Sequence, residues 1–263
     1  MKLPFRSIKS LYPLALAEGE GVGTAYEYFA KRLVLINWLA KLPRVRRLLI
    51  AGLPEKYGSS LDFLLIAQEM GVSDVTIVDE RPPALDKGRQ SLAAAQAVGE
   101  LTGMQPDYLL VNDVAHLVQL AAGFDLCLGS EVLQRLEATD QRQYVQRVAN
   151  LAPFLALFAP NGDNPSHNNL SGLSSLKLSE LSTIVRPLAG SVTLGYVDMP
   201  PFPPGLTRSN AQRSQATSGR VEAFAMRILH QFARSERYFP LGWRRSHAHI
   251  VYALINKGKS LNQ

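Results

Sequence analysis

Short apolar runs alternate with amphipathic stretches along most of this chain, and no other feature limits the fold as strongly. The runs have the length of strands, and the stretches between them repeat apolar residues at helical spacing. Most runs are apolar throughout, which is typical of parallel strands covered by helices on both faces. Because parallel neighbours require right-handed crossovers, the pattern predicts a doubly wound sheet.

The alternation defines a series of predicted elements that begins with a helix before the first strand. Predicted strands are 48–51, 75–78, 108–111, 125–128, 154–159, 192–197 and 249–255, and predicted helices are 25–42, 60–70, 84–101, 116–121, 140–151, 179–185 and 219–238. A further helix is expected to start near Ser130, after the fourth strand. Residues 161–175 are rich in Asn, Gly, Ser and Pro and predict a loop.

Composition supports one folded domain. Of the 263 residues, 46% are hydrophobic and 19% are charged, which is far from the composition of disordered chains. The chain shows neither internal repeats nor a second-domain linker. We therefore expect a single domain over residues 1–263, with a helical N-terminal extension over 1–43 and an inserted helical, Pro-rich lid segment over 199–246.

The single cysteine and the N-terminus favour a reducing compartment. Cys127 lies in an apolar run and is interpreted as a core residue. Residues 1–16 lack the continuous apolar core and cleavage site of a signal peptide. The most apolar early segment, 33–40, has about half the length needed to span a bilayer as a helix. We expect a cytoplasmic protein without a transmembrane segment.

Three histidines are candidates for chemistry. His167 lies in the predicted loop after the fifth strand, where it is either a general base or an ordinary solvated side chain. His247 and His249 are two residues apart and would share one face of a strand. Because no cysteine or nearby acid completes a ligand set, we expect no metal site.

The ends of the first two predicted strands indicate an adenosine-binding site. Gly52 begins the turn after the first strand, and Asp79 ends the second strand. A carboxylate at that place can accept both ribose hydroxyls, and Glu80 could substitute for Asp79. The pattern indicates a cofactor that contains adenosine, without specifying which one.

The whole series of landmarks resembles the class I S-adenosylmethionine-dependent methyltransferases over roughly residues 43–256. Their first motif is similar to Leu48-Leu-Ile-Ala-Gly52, and their strand with the ribose-binding acid is similar to Val75-Thr-Ile-Val-Asp79-Glu80. Their turn at the adenine is similar to Leu110-Val-Asn-Asp113-Val114-Ala115. Their fourth-strand motif is similar to Phe124-Asp-Leu-Cys-Leu-Gly-Ser130-Glu-Val-Leu133. The resemblance implies an α/β fold with a doubly wound, mostly parallel, seven-stranded Rossmann-like sheet, helices on both faces and an antiparallel last strand.

The same resemblance implies S-adenosylmethionine as the cofactor. The residues it places around that cofactor are Gly52, Gly58, Asp79, Glu80, Asp113, Val114 and Ser130. Two of them have a structural alternative, because Asp113 and Ser130 are also suited to cap the helices predicted after them.

The first motif departs from the family pattern. Ile50 occupies the usual acidic position, and five residues separate Gly52 from Gly58, so the tight glycine turn is lost. Pro54 and its bulky neighbours could keep the backbone from the methionine part of the cofactor. Either Glu55 and Gly58 rebuild the loop, or the cofactor site is altered or inactive.

Methyl transfer to a small-molecule acceptor is the leading hypothesis. Such transfer depends mainly on positioning, so no catalytic side chain is assigned. Residues 199–245 and the N-terminal helix would shape the acceptor pocket. A non-catalytic binding or scaffold protein is the alternative, because the first motif is altered.

An RNA methyltransferase is a weaker alternative, based on the net charge of +6 and a pI near 9.5. The basic residues are dispersed and lack an RNA-binding appendage, so we do not expect a nucleic-acid partner.

Overall fold

Seven strands form one sheet in the computed structural model, which describes residues 3–55, 59–172, 174–188, 190–201 and 220–257. The strands are β1 Arg47–Ala51, β2 Asp74–Asp79, β3 Asp107–Leu110, β4 Leu126–Ser130, β5 Phe154–Pro160, β6 Ser191–Val197 and β7 Ile250–Asn256. Their order in the sheet is β3-β2-β1-β4-β5-β7-β6, and β7 runs antiparallel to the other six strands. The predicted doubly wound, mostly parallel, seven-stranded sheet is confirmed.

Helices cover both faces of the sheet, also as predicted. They are α1 Ile8–Ala17, α2 Val22–Leu39, α3 Leu61–Glu69, α4 Pro82–Ala97, α5 Ala138–Leu151, α6 Pro165–Ser171, α7 Leu178–Val185, α8 Arg220–Ser235 and α9 Leu241–His247, with 3-10 turns at Leu133–Arg135 and Glu236–Tyr238. In the described part of the chain, none of these helices is both long enough and apolar enough to cross a bilayer.

The alternation of side chains along β1 shows how the two layers form. Leu48 and Ile50 point into a core shared with α1, α2, α3, α4 and α8, whereas Leu49 and Ala51 point into a core shared with α5 and α7. Because both faces of β1 are buried, every residue of this strand after the exposed Arg47 is apolar.

The prediction of a helix over residues 116–121 is wrong, because this segment forms turns. The Asp113 carboxylate accepts the Ala115 N–H at 2.7 Å and contacts His116 Nδ1 at 2.7 Å. Leu117 has a positive φ of 47°, which an ordinary helix does not allow. Local side-chain bonds to the backbone therefore replace the helical ladder here.

Other differences are confined to the ends and connections of elements. The helix expected from Ser130 is reduced to the 3-10 turn at Leu133–Arg135, and the loop predicted over 161–175 contains α6. Helix α9 ends at His247, so this residue and His249 do not share a strand face. Helix α1 was not predicted, although Ser7 and Ser10 form a capping box at its start.

The N-terminal helices are joined to α3 by buried charges. The Lys31 ammonium group on α2 lies 2.8 Å from Asp62 and 3.0 Å from Glu27. It also lies 5.0 Å from the centre of the Phe63 ring. Glu18, just after α1, accepts the backbone N–H of Leu61 at the start of α3 at 3.0 Å. These contacts position the chain that leads from the β1 turn into α3.

We predict that the substitution Lys31→Met destabilises the protein by about 3 kcal/mol or more, because it leaves the buried Asp62 carboxylate without its cation. Equilibrium urea unfolding measures this change. Lys41→Met, at an exposed position after α2, is the matched control and should change stability by less than about 0.5 kcal/mol. Equal effects of the two substitutions would show that the buried ion pair does not hold the helices together.

Candidate active site

The candidate site lies where the carboxyl ends of β1, β2 and β4 meet. The strand order reverses between β1 and β4, and ligands of open α/β sheets bind outside the carboxyl ends of the strands at such a point. Gly52 follows β1, Asp79 ends β2 and Ser130 ends β4. The structure therefore brings together three of the residues that the sequence placed around the cofactor.

Gly52 is required both by its backbone conformation and by its neighbours. Its φ is +92°, a region that side-chain-bearing residues rarely adopt. A Cβ atom at this position would lie 2.7 Å from a methyl group of Val132 and 3.3 Å from one of Val114. The first glycine of the motif thus allows β1 to approach the segments that follow β3 and β4.

The carboxylate of Asp79 is fully buried and saturated with donors. Its Oδ2 atom accepts the Leu53 N–H at 2.8 Å and contacts an Arg135 nitrogen at 3.2 Å. Its Oδ1 atom accepts the backbone N–H of Arg81 at 2.9 Å and the Nε–H of the same residue at 2.8 Å. An ionised carboxylate offers about four acceptor positions, so these contacts use its capacity.

The charge of Asp79 is stabilised by these partners. Burial alone would raise the pKa of this carboxyl group, but the hydrogen bonds from Arg81, the charge of Arg135 and the Leu53 N–H together hold it below the usual range. Asp79 is therefore ionised at neutral pH and acts as an anchor for both arginines.

The described part of the loop after β1 is held by side chains. Arg81 donates to the carbonyl oxygens of Leu53 and Pro54 at 2.9 and 3.3 Å. Gln134 donates to the Glu131 carbonyl oxygen at 2.8 Å and lies 3.4 Å from a carboxylate oxygen of Glu55. Leu53, Pro54 and Glu55 are thus tied to the segments that follow β2 and β4.

Glu80 presents a second carboxylate to the same site. Its Oε2 atom accepts the backbone N–H of Val114 at 2.9 Å, and its Oε1 atom lies 4.0 Å from a nitrogen of Arg135. The side chain is 31% exposed, whereas that of Asp79 is completely buried. Of the two adjacent acids, Glu80 is the one whose side chain is partly exposed to solvent.

The remaining predicted residues have different surroundings. Val114 and Ser130 are buried at the site, whereas the Asp113 side chain is 48% exposed and engaged in its own turn. Gly58 lies outside the described residues. His167 lies in α6, not in a loop. The roles of these residues in cofactor binding stay predictions.

Sequence reasoning missed the two arginines that complete the site. Arg81 directly follows the acidic pair, and a cation so close to a strand-end acid was an available signal. Arg135 had no such signal, because it lies 56 positions from Asp79 and reaches it only through the sheet.

Comparisons with known proteins show the fold. No family model matches the sequence, and no curated protein matches it significantly. The methyltransferase domain of bacterial CtHen1 is 12% identical to this chain, with a TM-score of 0.52, and the match covers 86% of this chain and 97% of that one. Magnesium protoporphyrin IX methyltransferase from Synechocystis PCC 6803 with bound SAH is 13% identical, with a TM-score of 0.51 and coverages of 89% and 84%. A SAM-dependent methyltransferase from Archaeoglobus fulgidus is 14% identical, with a TM-score of 0.52 and coverages of 86% and 92%. This chain has the fold of the class I S-adenosylmethionine-dependent methyltransferases.

We predict that Asp79→Asn lowers the free energy of unfolding at pH 7 by about 3 kcal/mol, because Arg81 and Arg135 lose their buried counter-charge. Since the folded pKa of Asp79 is depressed, its stabilising contribution is present above the ordinary carboxyl pKa of about 4 and is lost as the pH falls through the folded value. Urea unfolding at several pH values should therefore show a weaker loss of stability in acid for the variant than for the wild type. The exposed Asp86→Asn is the control and should resemble the wild type.

Proposed function

We propose that this protein transfers a methyl group from S-adenosylmethionine to a small molecule in the cytoplasm, with the adenosine bound at the carboxyl ends of β1, β2 and β4. The observation that carries the proposal is the partly exposed carboxylate of Glu80 at the point where the strand order reverses. Ribose hydroxyls are donors, and this carboxylate is the acceptor available to them.

Polar atoms of Gln134 and Arg135, which follow β4, support a ligand with both donors and acceptors. Among the described residues, the Nε and Nη1 atoms of Arg135 and the Oε1 atom of Gln134 are buried and have no hydrogen-bond partner. Buried polar groups normally have partners, so these atoms offer hydrogen-bonding capacity that a bound molecule would use. A ribose ring with its hydroxyl and ether oxygens has matching chemistry.

Asp79 and Glu80 thus divide the role that the family assigns to one acid. Asp79 orders Leu53, Arg81 and Arg135, and Glu80 binds the ribose. When bound, the cofactor supplies a methyl group activated by a positively charged sulfur. The protein's own residues orient the two reactants and exclude water from them.

A second candidate function is a non-catalytic binding protein with the same fold. It is favoured by the saturation of Asp79 and by the packing of Val132 against Gly52. Under this proposal Arg81 and Arg135 are permanent partners of the Asp79 carboxylate and take the place that the cofactor would have there.

Calorimetric titration with S-adenosylmethionine and S-adenosylhomocysteine tests the two functions, with NAD and ATP as controls for adenosine. We expect micromolar binding, about −8 kcal/mol, that is selective for the first two ligands. Glu80→Ala should weaken this binding about tenfold or more, because the ribose loses its acceptor. Asp86→Ala, an exposed acid on α4, should leave it unchanged.

The possible results separate the function from the site. Absence of binding by the folded wild-type protein would contradict methyl transfer and favour the binding protein. Wild-type affinity in Glu80→Ala would leave the function intact and overturn the assignment of Glu80.

A further inference from the structure

A cavity opens on the same edge of the sheet as the candidate site, beside the ends of β5 and β6 and the start of β7. Its volume is about 390 Å³, which is within the range of small-molecule sites. Residues that line it include Met199, Pro200, Phe232, Phe239, Trp243 and His249. Because β4 and β5 are parallel neighbours about 5 Å apart, this cavity is only a few strand widths from the proposed cofactor site.

One wall of the cavity is built from aromatic rings. The ring centres of Phe232 and Phe239 are 5.6 Å apart, and those of Phe239 and Trp243 are 4.4 Å apart. Met199 and Pro200 extend the apolar surface after β6. Rings at these spacings offer flat faces and edges that pack well against another planar ring.

The cavity is also lined by the imidazole ring of His249, which is held in a fixed position. His249 Nδ1 lies 3.2 Å from the carboxylate of Asp198. The backbone of His249 is also held, because its N–H donates to the Asp198 carbonyl oxygen at 2.7 Å and its own carbonyl accepts the Asn161 N–H at 2.8 Å. The ring can therefore serve as a polar anchor with a defined direction.

Asp198 has an unusual conformation that supports this arrangement. It is buried and has a φ of +71°, a backbone conformation that residues with a side chain adopt uncommonly. Glu236 holds it there, because its carboxylate accepts the N–H groups of Asp198 at 3.1 Å and Met199 at 2.8 Å. Strained backbone that is stabilised by its surroundings is frequent at binding sites.

We propose that this cavity binds the methyl acceptor, and that the acceptor is a planar aromatic molecule with a hydroxyl group that hydrogen-bonds to His249. The ring of the acceptor packs against Phe239 and Trp243, and the hydroxyl group faces the His249–Asp198 pair. The identification of the ligand as the acceptor rests on the proposed methyl transfer, whereas the binding of such a molecule does not.

Ligand-observed NMR titration of the 263-residue protein with 1-naphthol tests the cavity. Three comparison ligands separate the contributions: 1-methylnaphthalene lacks the hydroxyl group, decahydro-1-naphthol lacks the planar ring, and benzyltrimethylammonium is a cation. We expect 1-naphthol to bind about tenfold more tightly than each of them. Equal or tighter binding of the hydrocarbon, the saturated alcohol or the cation would overturn the assigned ligand class.

Protein variants locate the binding site. Trp243→Ala should weaken 1-naphthol binding about tenfold, since it removes the largest ring of the wall. Tyr238→Ala is the matched control, because Tyr238 is 72% exposed and does not line the cavity. Unchanged binding in Trp243→Ala would show that 1-naphthol binds elsewhere and would overturn the proposal.

His249→Asn tests the polar anchor with an internal control for folding. It should weaken binding of 1-naphthol and leave binding of 1-methylnaphthalene unchanged, because only the former uses the imidazole. Equal losses for both ligands would mean that His249 only maintains the shape of the cavity, and would overturn its role as anchor.

The two proposals can fail separately. Binding of S-adenosylhomocysteine without binding of 1-naphthol would overturn the acceptor class and leave methyl transfer standing. Binding of 1-naphthol without binding of S-adenosylhomocysteine would contradict methyl transfer, and the cavity would be an aromatic-ligand site of a non-catalytic protein.

Discussion

The buried carboxylate of Asp79 joins the chain segments that meet at the functional edge of the sheet. It bonds to Leu53 after β1, to Arg81 before α4 and to Arg135 after β4. A buried charge is tolerated only with such partners, so these segments must take up their positions together. The shape of the candidate site follows from this one cluster.

This cluster also explains how the backbone that follows Gly52 is held in place. A glycine-rich turn normally lets backbone N–H groups approach a ligand without side-chain interference. In the described part of this loop Gly52 has that freedom, and Arg81 donates to the carbonyl oxygens of Leu53 and Pro54. The ribose contact accordingly passes to Glu80 in the proposed function, because Asp79 is already committed.

Most of the fold could be predicted from the sequence, because strands and helices differ in hydrophobic period and both faces of the sheet are covered. The errors occur where local bonds compete with that period. Asp113 bonds to the following turn and removes the helix expected over 116–121, whereas α6 begins at Pro165, within a stretch whose composition is typical of a loop.

The sequence by itself determined the element order and the acids at the strand ends, because these depend on residues close together in the chain. Only the tertiary structure decided which acid is enclosed by arginines and which reaches solvent. It also decided that Lys31 meets Asp62 and that His249 faces an aromatic cavity. The contacts of Lys31 with Asp62 and of His249 with the cavity join residues that are tens of positions apart in the chain. Strand order and packing decide which residues meet, and no local sequence pattern encodes either of them.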